Sequence, residues 1–279
     1  MTAAPMLAPV RPAQSRRTGP LGSLYAGNSR AVIGRGLLAT RSTSWLIVLS
    51  GFFEPIFYLL SLGIGLGAIV GAVTTSTGQS VPYAAYIAPA LLAVSAMNGA
   101  IFDSTWNVFF KMQYAKLYEG MLATSLGPLD VALGEIFLAL LRGGVYAAGF
   151  LVVMQVLGLN LAWTAVLALP AVLLIAFGFA SLGMAITSYL KSFQQMDWIT
   201  FVMLPMFLFS ATFYPLSVYP QAIRVVIEML PLWHGVELVR GLTTGALSLP
   251  MLGHVLYFVV MIVVGLTFTT RRLRALFLD

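Results

Sequence analysis

The chain has 279 residues, of which 59% are hydrophobic and only 9% are charged, and its mean hydropathy is +0.93. This composition excludes a water-soluble globular protein, and so many residues are needed for membrane spans that no room is left for an appended soluble enzyme domain. The absence of cysteine excludes disulfides, thiolate metal sites and a cysteine nucleophile.

The N-terminal region divides into a polar tail and an amphipathic segment. Residues 1–20 are rich in Ala, Pro and Arg and contain no apolar block, which predicts a disordered cytoplasmic tail rather than a signal peptide. In residues 21–41, apolar residues such as Val32 and Leu37 recur on one side of a helix, a pattern typical of a helix lying in the membrane interface. A solvated helix of no special role would show the same pattern. Three arginines lie on this segment: Arg30, Arg35 and Arg41.

Two long runs without charge dominate the rest of the chain. There are 48 such residues between Glu54 and Asp103, and another 48 between Arg142 and Lys191. A bilayer core about 30 Å thick takes roughly 20 apolar residues per helix, so each run predicts two spans joined by a polar turn. With two further apolar segments we expect an all-α integral membrane protein with six transmembrane helices, in a single membrane domain of residues 21–279. The predicted spans are residues 45–70, 83–106, 131–157, 161–190, 198–214 and 249–270.

The distribution of Lys and Arg predicts the orientation. The N-terminal region, the links after spans two and four and the C-terminal tail hold most of the basic residues, whereas the opposite loops hold only Arg224 and Arg240. Because cytoplasmic flanks are enriched in Lys and Arg, both termini are expected in the cytoplasm. The net charge of +6 therefore reflects the enrichment of Lys and Arg on the cytoplasmic side of the membrane, and no nucleic-acid partner is expected.

The link between spans two and three contains an unusual apolar stretch. Residues 118–130 are rich in apolar side chains although they face water, and Gly127 and Pro128 interrupt them. Exposed apolar residues favour contact with a protein partner. A helix folded back onto the bundle would account for the same residues, and both interpretations stay open.

The segment between spans five and six is broken by prolines. Pro215, Pro220 and Pro231 leave neither half long enough to cross a bilayer, which predicts a re-entrant outer hairpin of two short helices. Arg224 and Glu228 are spaced i and i+4 and are expected to pair near the surface. The candidate outer gate consists of Tyr214, Pro215, Pro231, Trp233 and His234.

Glu54 and Arg142 are the charges that lie deepest inside the predicted spans. If spans one and three leave the cytoplasm near Trp45 and Gly134, each of these charges lies eight or nine residues in, about 12 to 14 Å deep at 1.5 Å per residue. Charged groups at such depth are costly and often functional. We expect an intramembrane ion pair between them that fixes the packing of spans one and three, and direct contact of Glu54 with a substrate is the alternative.

Several short motifs occur together in a recognisable order. With six spans, they resemble the type-two ATP-binding-cassette exporter permeases, including the branch of the rhizobial nodulation-factor exporter permease and the polysaccharide and drug exporter permeases. The motifs are Glu54-Pro55 with Gly63-x-Gly-x-Gly67, Glu119-Gly-Met-Leu-Ala-Thr124 with Pro128-Leu-Asp130 and Gly134-Glu135, Phe179-Ala-Ser-Leu-Gly183, Phe213-Tyr-Pro215, Leu230-Pro-Leu-Trp-His234 and Glu237-Leu-Val-Arg-Gly241.

The resemblance implies a transport subunit in the bacterial plasma (inner) membrane. Two such permease subunits, identical or closely related, would each dock on a cytosolic ATPase subunit and export an amphipathic molecule such as a lipid-linked saccharide, a lipid or a hydrophobic drug. ATP and Mg would bind only to the ATPase, and membrane lipid would surround the permease. The residues expected to couple to the ATPase are Arg30, Arg35, Arg41, Glu119, Leu122, Thr124, Pro128, Leu129 and Asp130.

The sequence also bears on enzymatic alternatives. A phosphate-binding loop needs Gly-Lys before Ser or Thr, but the lysines here follow Phe110, Ala115 and Leu190, so no cofactor or nucleotide site is expected in this chain. An intramembrane enzyme would need a nucleophile beside a base, or clustered metal ligands, and neither pattern occurs. A proton-coupled secondary transporter is the stronger rival, because Glu54 would be able to carry a proton.

Overall fold

The computed structural model describes Tyr25 and residues 27–40, 53, 56–75 and 78–278. Helices account for most of these residues. The helices are α1 (Ser29–Thr40), α2 (Ile56–Val70), α3 (Tyr83–Tyr114), α4 (Leu117–Leu122), α5 (Pro128–Val156), α6 (Trp163–Thr187), α7 (Asp197–Phe209), α8 (Gln221–Met229), α9 (Pro231–Thr244) and α10 (Pro250–Phe277). Short 3-10 turns cover Phe193–Met196 and Leu216–Val218.

Within the described residues, four helices are long and apolar enough to cross a membrane: α3, α5, α6 and α10. They correspond to predicted spans two, three, four and six. Much of predicted span one lies outside the described residues, and α2 is the part that the structure shows. In predicted span five, α7 has 13 residues and is only about 20 Å long at 1.5 Å per residue. The count of six spans therefore stays a prediction.

A small β-hairpin lies in the loop where the sequence predicts only a polar turn. Gly71 ends α2 with a positive φ of 73°, which glycine adopts without steric cost. β1 (Ala72–Thr74) and β2 (Ser80–Pro82) then pair antiparallel, with Val73 opposite Val81. The β-branched residues in these strands explain the preference for extended backbone.

Helix α3 is irregular in its second half. It contains two π-helical turns, at Asp103–Asn107 and Phe110–Tyr114. A π-helical turn adds a residue to the helical repeat, so it changes the direction in which the following side chains point. The first of these turns carries Asp103, a charged residue within the long apolar helix.

The core is built around α6, which packs against α10, α3 and α5. Small residues allow this close packing. A Cβ atom added to Gly265 of α10 would lie 2.6 Å from the carbonyl carbon of Ser181 in α6, and one added to Gly178 would lie 2.8 Å from the ring of Phe258. Phe179 and Phe258 fill the space beside these contacts with their rings 6.2 Å apart.

The segment after α7 contains the two short helices that its prolines predict. Helix α8 begins after Pro220, and Pro231 is the first residue of α9, where its missing N–H group costs no hydrogen bond. The predicted ion pair between Arg224 and Glu228 is wrong. The Arg224 guanidinium instead donates 2.6 Å hydrogen bonds to the carbonyls of Tyr219 and Ser217, which satisfies the otherwise unpaired backbone at the turn before α8.

Candidate functional site

Helix α1 is docked on the first half of α5. A Cβ atom on Gly134 of α5 would lie 2.5 Å from Cβ of Val32, which is buried in α1. Gly36 makes a similarly close approach to Leu138, one turn further along both helices. A helix is therefore present at Ser29–Thr40, but Val32 faces the protein whereas Leu37 and Leu38 are exposed, so its apolar residues do not share one side as predicted. Its position in the membrane interface stays a prediction.

Asp130 joins the beginning of α1 to the beginning of α5. Its side chain is fully buried, and its two carboxylate oxygens accept hydrogen bonds from the backbone N–H groups of Asn28 and Gly127, each at 2.9 Å. The Asn28 side chain also donates to the carbonyl of Ser125 at 3.3 Å. A carboxylate at this position is favoured by the positive end of the α5 dipole. Asp130 thus positions the backbone around the link and is inaccessible to a partner in this conformation.

A charged network connects α1, α3 and α5 beside this link. Glu135 of α5, whose side chain is 5% exposed, lies 2.5 Å from Nζ of Lys111 and 3.5 Å from the Arg35 guanidinium. The Tyr118 phenol of α4 is fully buried nearby, and burial, reinforced by the Glu135 charge, raises its pKa well above the usual value. The sequence analysis did not predict this network, although an acidic residue such as Glu135 near the start of a predicted span indicates that a charged partner lies close by.

Helix α4 turns its apolar residues inward. Lys116, with a left-handed φ of 48°, starts the helix, and Tyr118, Met121 and Leu122 are buried against the bundle. The expectation of an exposed apolar patch is therefore wrong, and the alternative of a helix folded back is confirmed. The surface that remains is polar and includes Glu119 and Thr124.

The predicted coupling residues differ in their access to a partner. Arg30, Glu119 and Thr124 are exposed, and Arg35 and Leu129 are half-buried. Leu122, Pro128 and Asp130 are buried, so they support the link from within. Arg41 lies outside the described residues. We call the exposed residues Arg30, Glu119 and Thr124 the link face.

A cleft of about 750 Å³ opens between α2, α3, α5 and α7. One of its ends contains an ion pair that the sequence did not predict, in which Arg142 of α5 donates a 2.8 Å hydrogen bond to Asp103 of α3. Glu54, the predicted partner of Arg142, lies outside the described residues, so that pairing stays a prediction. Asp103 escaped notice because a sequence does not show which faces of two distant helices meet.

Two of the candidate gate residues, Trp233 and His234, lie at a contact between α9 and α10. Nδ1 of His234 is 2.7 Å from Nδ1 of His254, and the Tyr257 ring stacks on His234 with centroids 4.0 Å apart. Trp233 packs on both imidazoles, while Tyr214 is exposed and Pro215 is half-buried. Burial, and then the neighbouring His254, lowers the pKa of His234 to about 4. His234 is therefore neutral at pH 7, and a gating role for these residues stays a prediction.

The contacts of Arg240 in α9 were also not predicted from the sequence. Arg240 is 3% exposed, lies 2.5 Å from the Glu237 carboxylate and donates to the carbonyls of Ala211 at 2.9 Å and Tyr86 at 3.3 Å. Its guanidinium carbon also lies 3.9 Å from the centre of the Tyr86 ring. Arg240 therefore fastens α9 to α3 and to the turn after α7.

Comparisons with known proteins give a consistent result. Residues 28–244 match the family described as ABC-2 type transporter. Nodulation protein J of Rhizobium leguminosarum bv. viciae is 32% identical over 257 residues, which cover 91% of this chain and 96% of that protein. Nodulation protein J of Rhizobium meliloti (strain 1021) is 31% identical over 218 residues, covering 77% of this chain and 81% of that protein. The Nodulation protein J of Bradyrhizobium diazoefficiens is 33% identical over 217 residues, covering 77% and 80%.

Proposed function

Because the chain belongs to the ABC-2 type transporter family, we propose that it is the permease subunit of an exporter that moves an amphipathic substrate out of the cytoplasm, powered by ATP hydrolysis on a separate subunit. The substrate class is a lipid-linked saccharide, a lipid or a hydrophobic drug. ATP and Mg would bind to the ATPase and not to this chain.

The observation that carries this proposal is the mixed character of the cleft. Most of its wall is apolar, with Leu91, Val94 and Phe207 among the lining residues, but Asp103 and Arg142 lie at one end. An amphipathic molecule needs both environments at once, since its polar part keeps hydrogen-bonding partners while its apolar part stays out of water. A binding site for a small hydrophilic solute would not need an apolar wall of this length.

The link face is suited to receive the ATPase. Its residues lie on or beside α1 and α4. Helix α1 pairs with Glu135 through Arg35, and α4 carries the buried Tyr118, whose phenol the Glu135 charge affects. Lys111 belongs to the last turn of α3, the helix that carries Asp103 at the cleft. A displacement of α1 or α4 by a bound ATPase would therefore act on α3 and α5, which form two walls of the cleft.

Two permease subunits, identical or related, would form the pathway in the bacterial plasma membrane, each with six spans and with both termini in the cytoplasm. Helices α8 and α9 would form the re-entrant outer hairpin, with the contact between His234 and His254 at the candidate gate. The exposed Leu37 and Leu38 would place α1 in the lipid interface.

Transport in inside-out membrane vesicles tests this function. Vesicles containing the chain and its ATPase would be loaded with fluorescent short-chain lipids: a glucosyl lipid, a phosphatidylcholine and a phosphatidylglycerol. We expect ATP to move at least one lipid to the lumenal leaflet, where a membrane-impermeant quencher no longer reaches it, and we expect vanadate to abolish this movement. Vesicles lacking the chain are the control. Movement driven by a pH gradient without ATP would contradict the proposal and support the proton-coupled alternative.

A further inference from the structure

We propose that the C-terminal end of α6 and the neighbouring part of α10 form a binding site for one anionic phospholipid. Arg272 and Lys191 would bind its phosphate-containing headgroup, and Phe268 and Ile186 would contact its acyl chains. These four residues lie outside the lining of the cleft between α2, α3, α5 and α7. The inference therefore goes beyond the proposed function and does not depend on which molecule is exported.

Arg272 is fixed at the contact between the two helices. Ser181 of α6 lies against Gly265 of α10, and seven residues further along each helix the carbonyl of Ser188 accepts a 3.4 Å hydrogen bond from Nε of Arg272. The guanidinium carbon also lies 4.8 Å from the centre of the Tyr189 ring. Ser188 follows the last residue of α6, where the helix dipole favours a positive charge. The two contacts hold the guanidinium beside α6 before any ligand arrives.

The end of α6 offers two positive charges to a bound anion. The bond to Ser188 uses one of the five N–H donors of the Arg272 guanidinium, and the side chain is half-buried, so part of it reaches the surface. Lys191 is exposed and lies two residues after Tyr189. A guanidinium matches two oxygens of a phosphate at once, and an ammonium group adds a second charge. The chemistry of these groups favours a phosphate headgroup with a net negative charge.

Apolar side chains lie one helical turn deeper than these polar groups. Phe268 precedes Arg272 by four residues, so the two side chains share one face of α10. The N–H group of Tyr189 donates to the carbonyl of Ile186 at 3.0 Å, which continues the turn and places these two side chains on one face as well. Phe268 is 52% exposed and Ile186 is 42% exposed. Because Arg272 contacts Tyr189, the two faces meet in one surface that is basic at its end and apolar below.

The position of this surface agrees with a lipid of the cytoplasmic leaflet. Gln113 in the last turn of α3 donates a 3.4 Å hydrogen bond to the carbonyl of Leu190, so this end of α6 lies on the same side of the bundle as Lys111 and Glu135. That side is the one predicted to face the cytoplasm. Basic pockets between membrane helices at a cytoplasmic surface are typical sites for anionic headgroups. General enrichment of basic residues on this side would not require the fixed contacts of Arg272.

Native mass spectrometry of the purified full chain in detergent tests the inference. The probes are dioleoyl phosphatidylglycerol and dioleoyl phosphatidylcholine, which carry the same acyl chains but differ in net charge. Each basic residue near a membrane surface contributes about fivefold to the affinity for an anionic lipid. We therefore expect the dissociation constant of the first bound lipid to be about twentyfold lower for phosphatidylglycerol. Equal dissociation constants would overturn the inference.

Charge variants distinguish this site from a general attraction to a basic surface. Arg272→Gln and Lys191→Gln should each raise the dissociation constant of phosphatidylglycerol about fivefold and leave that of phosphatidylcholine unchanged. Arg274→Gln is the matched control, because it removes the same charge from an exposed residue two positions further along α10, on a different face of the helix. An equal loss of affinity in Arg274→Gln, or no loss in Arg272→Gln and Lys191→Gln, would contradict a defined site.

Two further measurements test a merely structural role for Arg272 and a soluble ligand. Arg272→Lys keeps the charge without the planar group, so it should retain part of the preference for phosphatidylglycerol. A loss equal to that of Arg272→Gln would indicate that Arg272 only holds the helices together. Lys191→Gln applies the same test without touching the contact between α6 and α10.

Glycerophosphoglycerol, the same headgroup without acyl chains, should not displace phosphatidylglycerol at equal concentration. Displacement would show that the site binds a free anion and would overturn the assignment to a lipid. The titrations contain neither ATP nor ATPase, so their failure would leave the proposed function standing, and an absence of export would leave this inference standing.

Discussion

Replacing Arg240 with methionine is expected to lower the free energy of unfolding in detergent micelles by about 3–5 kcal/mol. The guanidinium is buried and bonds to Glu237, Ala211 and Tyr86, so its removal breaks one buried ion pair and two buried hydrogen bonds at once. Unfolding would be followed by circular dichroism during titration with sodium dodecyl sulfate. Arg271→Met, which removes an exposed arginine at the end of α10, is the matched control and is expected to have little effect.

A second substitution separates the effect of the Arg240–Glu237 ion pair from that of the other Arg240 contacts. Part of the loss in Arg240→Met comes from breaking the ion pair with the Glu237 carboxylate, so adding Glu237→Gln should restore part of the stability. The free energy of unfolding of Arg240→Lys should lie between those of the unmodified chain and Arg240→Met. Lysine keeps the positive charge, but it lacks the planar guanidinium that reaches three acceptors at once. Stability of Arg240→Met equal to that of Arg271→Met would show that the contacts of Arg240 do not hold α9 in place.

Replacing Gly265 with alanine is expected to cost about 2–3 kcal/mol and to loosen the contact between α10 and α6. The added methyl group would lie 2.6 Å from a backbone carbon of Ser181 and 2.8 Å from the backbone nitrogen of Leu182, and backbone atoms cannot move aside as a flexible side chain can. Gly253→Ala on the same helix is the control, because nothing lies within 4 Å of its added Cβ. That variant should be neutral or slightly stabilised, since alanine favours helix.

The same denaturant titration compares the two glycine variants. A midpoint for Gly265→Ala equal to or above that of Gly253→Ala would mean that α6 and α10 separate without cost. Such a result would contradict the packing described for the core.

The sequence predicted those features that local composition determines. Long apolar runs identified α3, α5, α6 and α10, because a helix in lipid must satisfy its backbone internally and must be predominantly apolar. Proline positions identified the limits of α8 and α9, because proline cannot continue a preceding helix. Both hydrophobicity and proline act on the backbone within a short stretch of chain, so the sequence alone reveals their effect.

Features that depend on how helices rotate against each other were not predictable in the same way. Arg142 was recognised as an intramembrane charge, but its contact with Asp103 depends on the facing of α3 and α5 and on a π-helical turn. Leu122 is buried because α4 folds back onto the bundle, and the composition of α4 alone did not predict this. Arg240 was counted as a loop charge, and its three acceptors come from distant parts of the chain or from its own helix.

The most direct test of the central claim is whether an ATPase docks on the link face. The tagged chain would be purified from its native membrane in mild detergent, and co-purifying proteins would be identified by mass spectrometry, together with ATPase activity. Variants Glu119→Arg and Thr124→Arg change exposed residues of this face, and Glu228→Arg changes an exposed residue of α8 as the matched control. We predict a stoichiometric ATPase with the unmodified chain and the control, and its loss from both link-face variants at unchanged thermal stability. A well-folded chain that purifies without any ATPase, or an ATPase retained equally by all variants, would contradict the account.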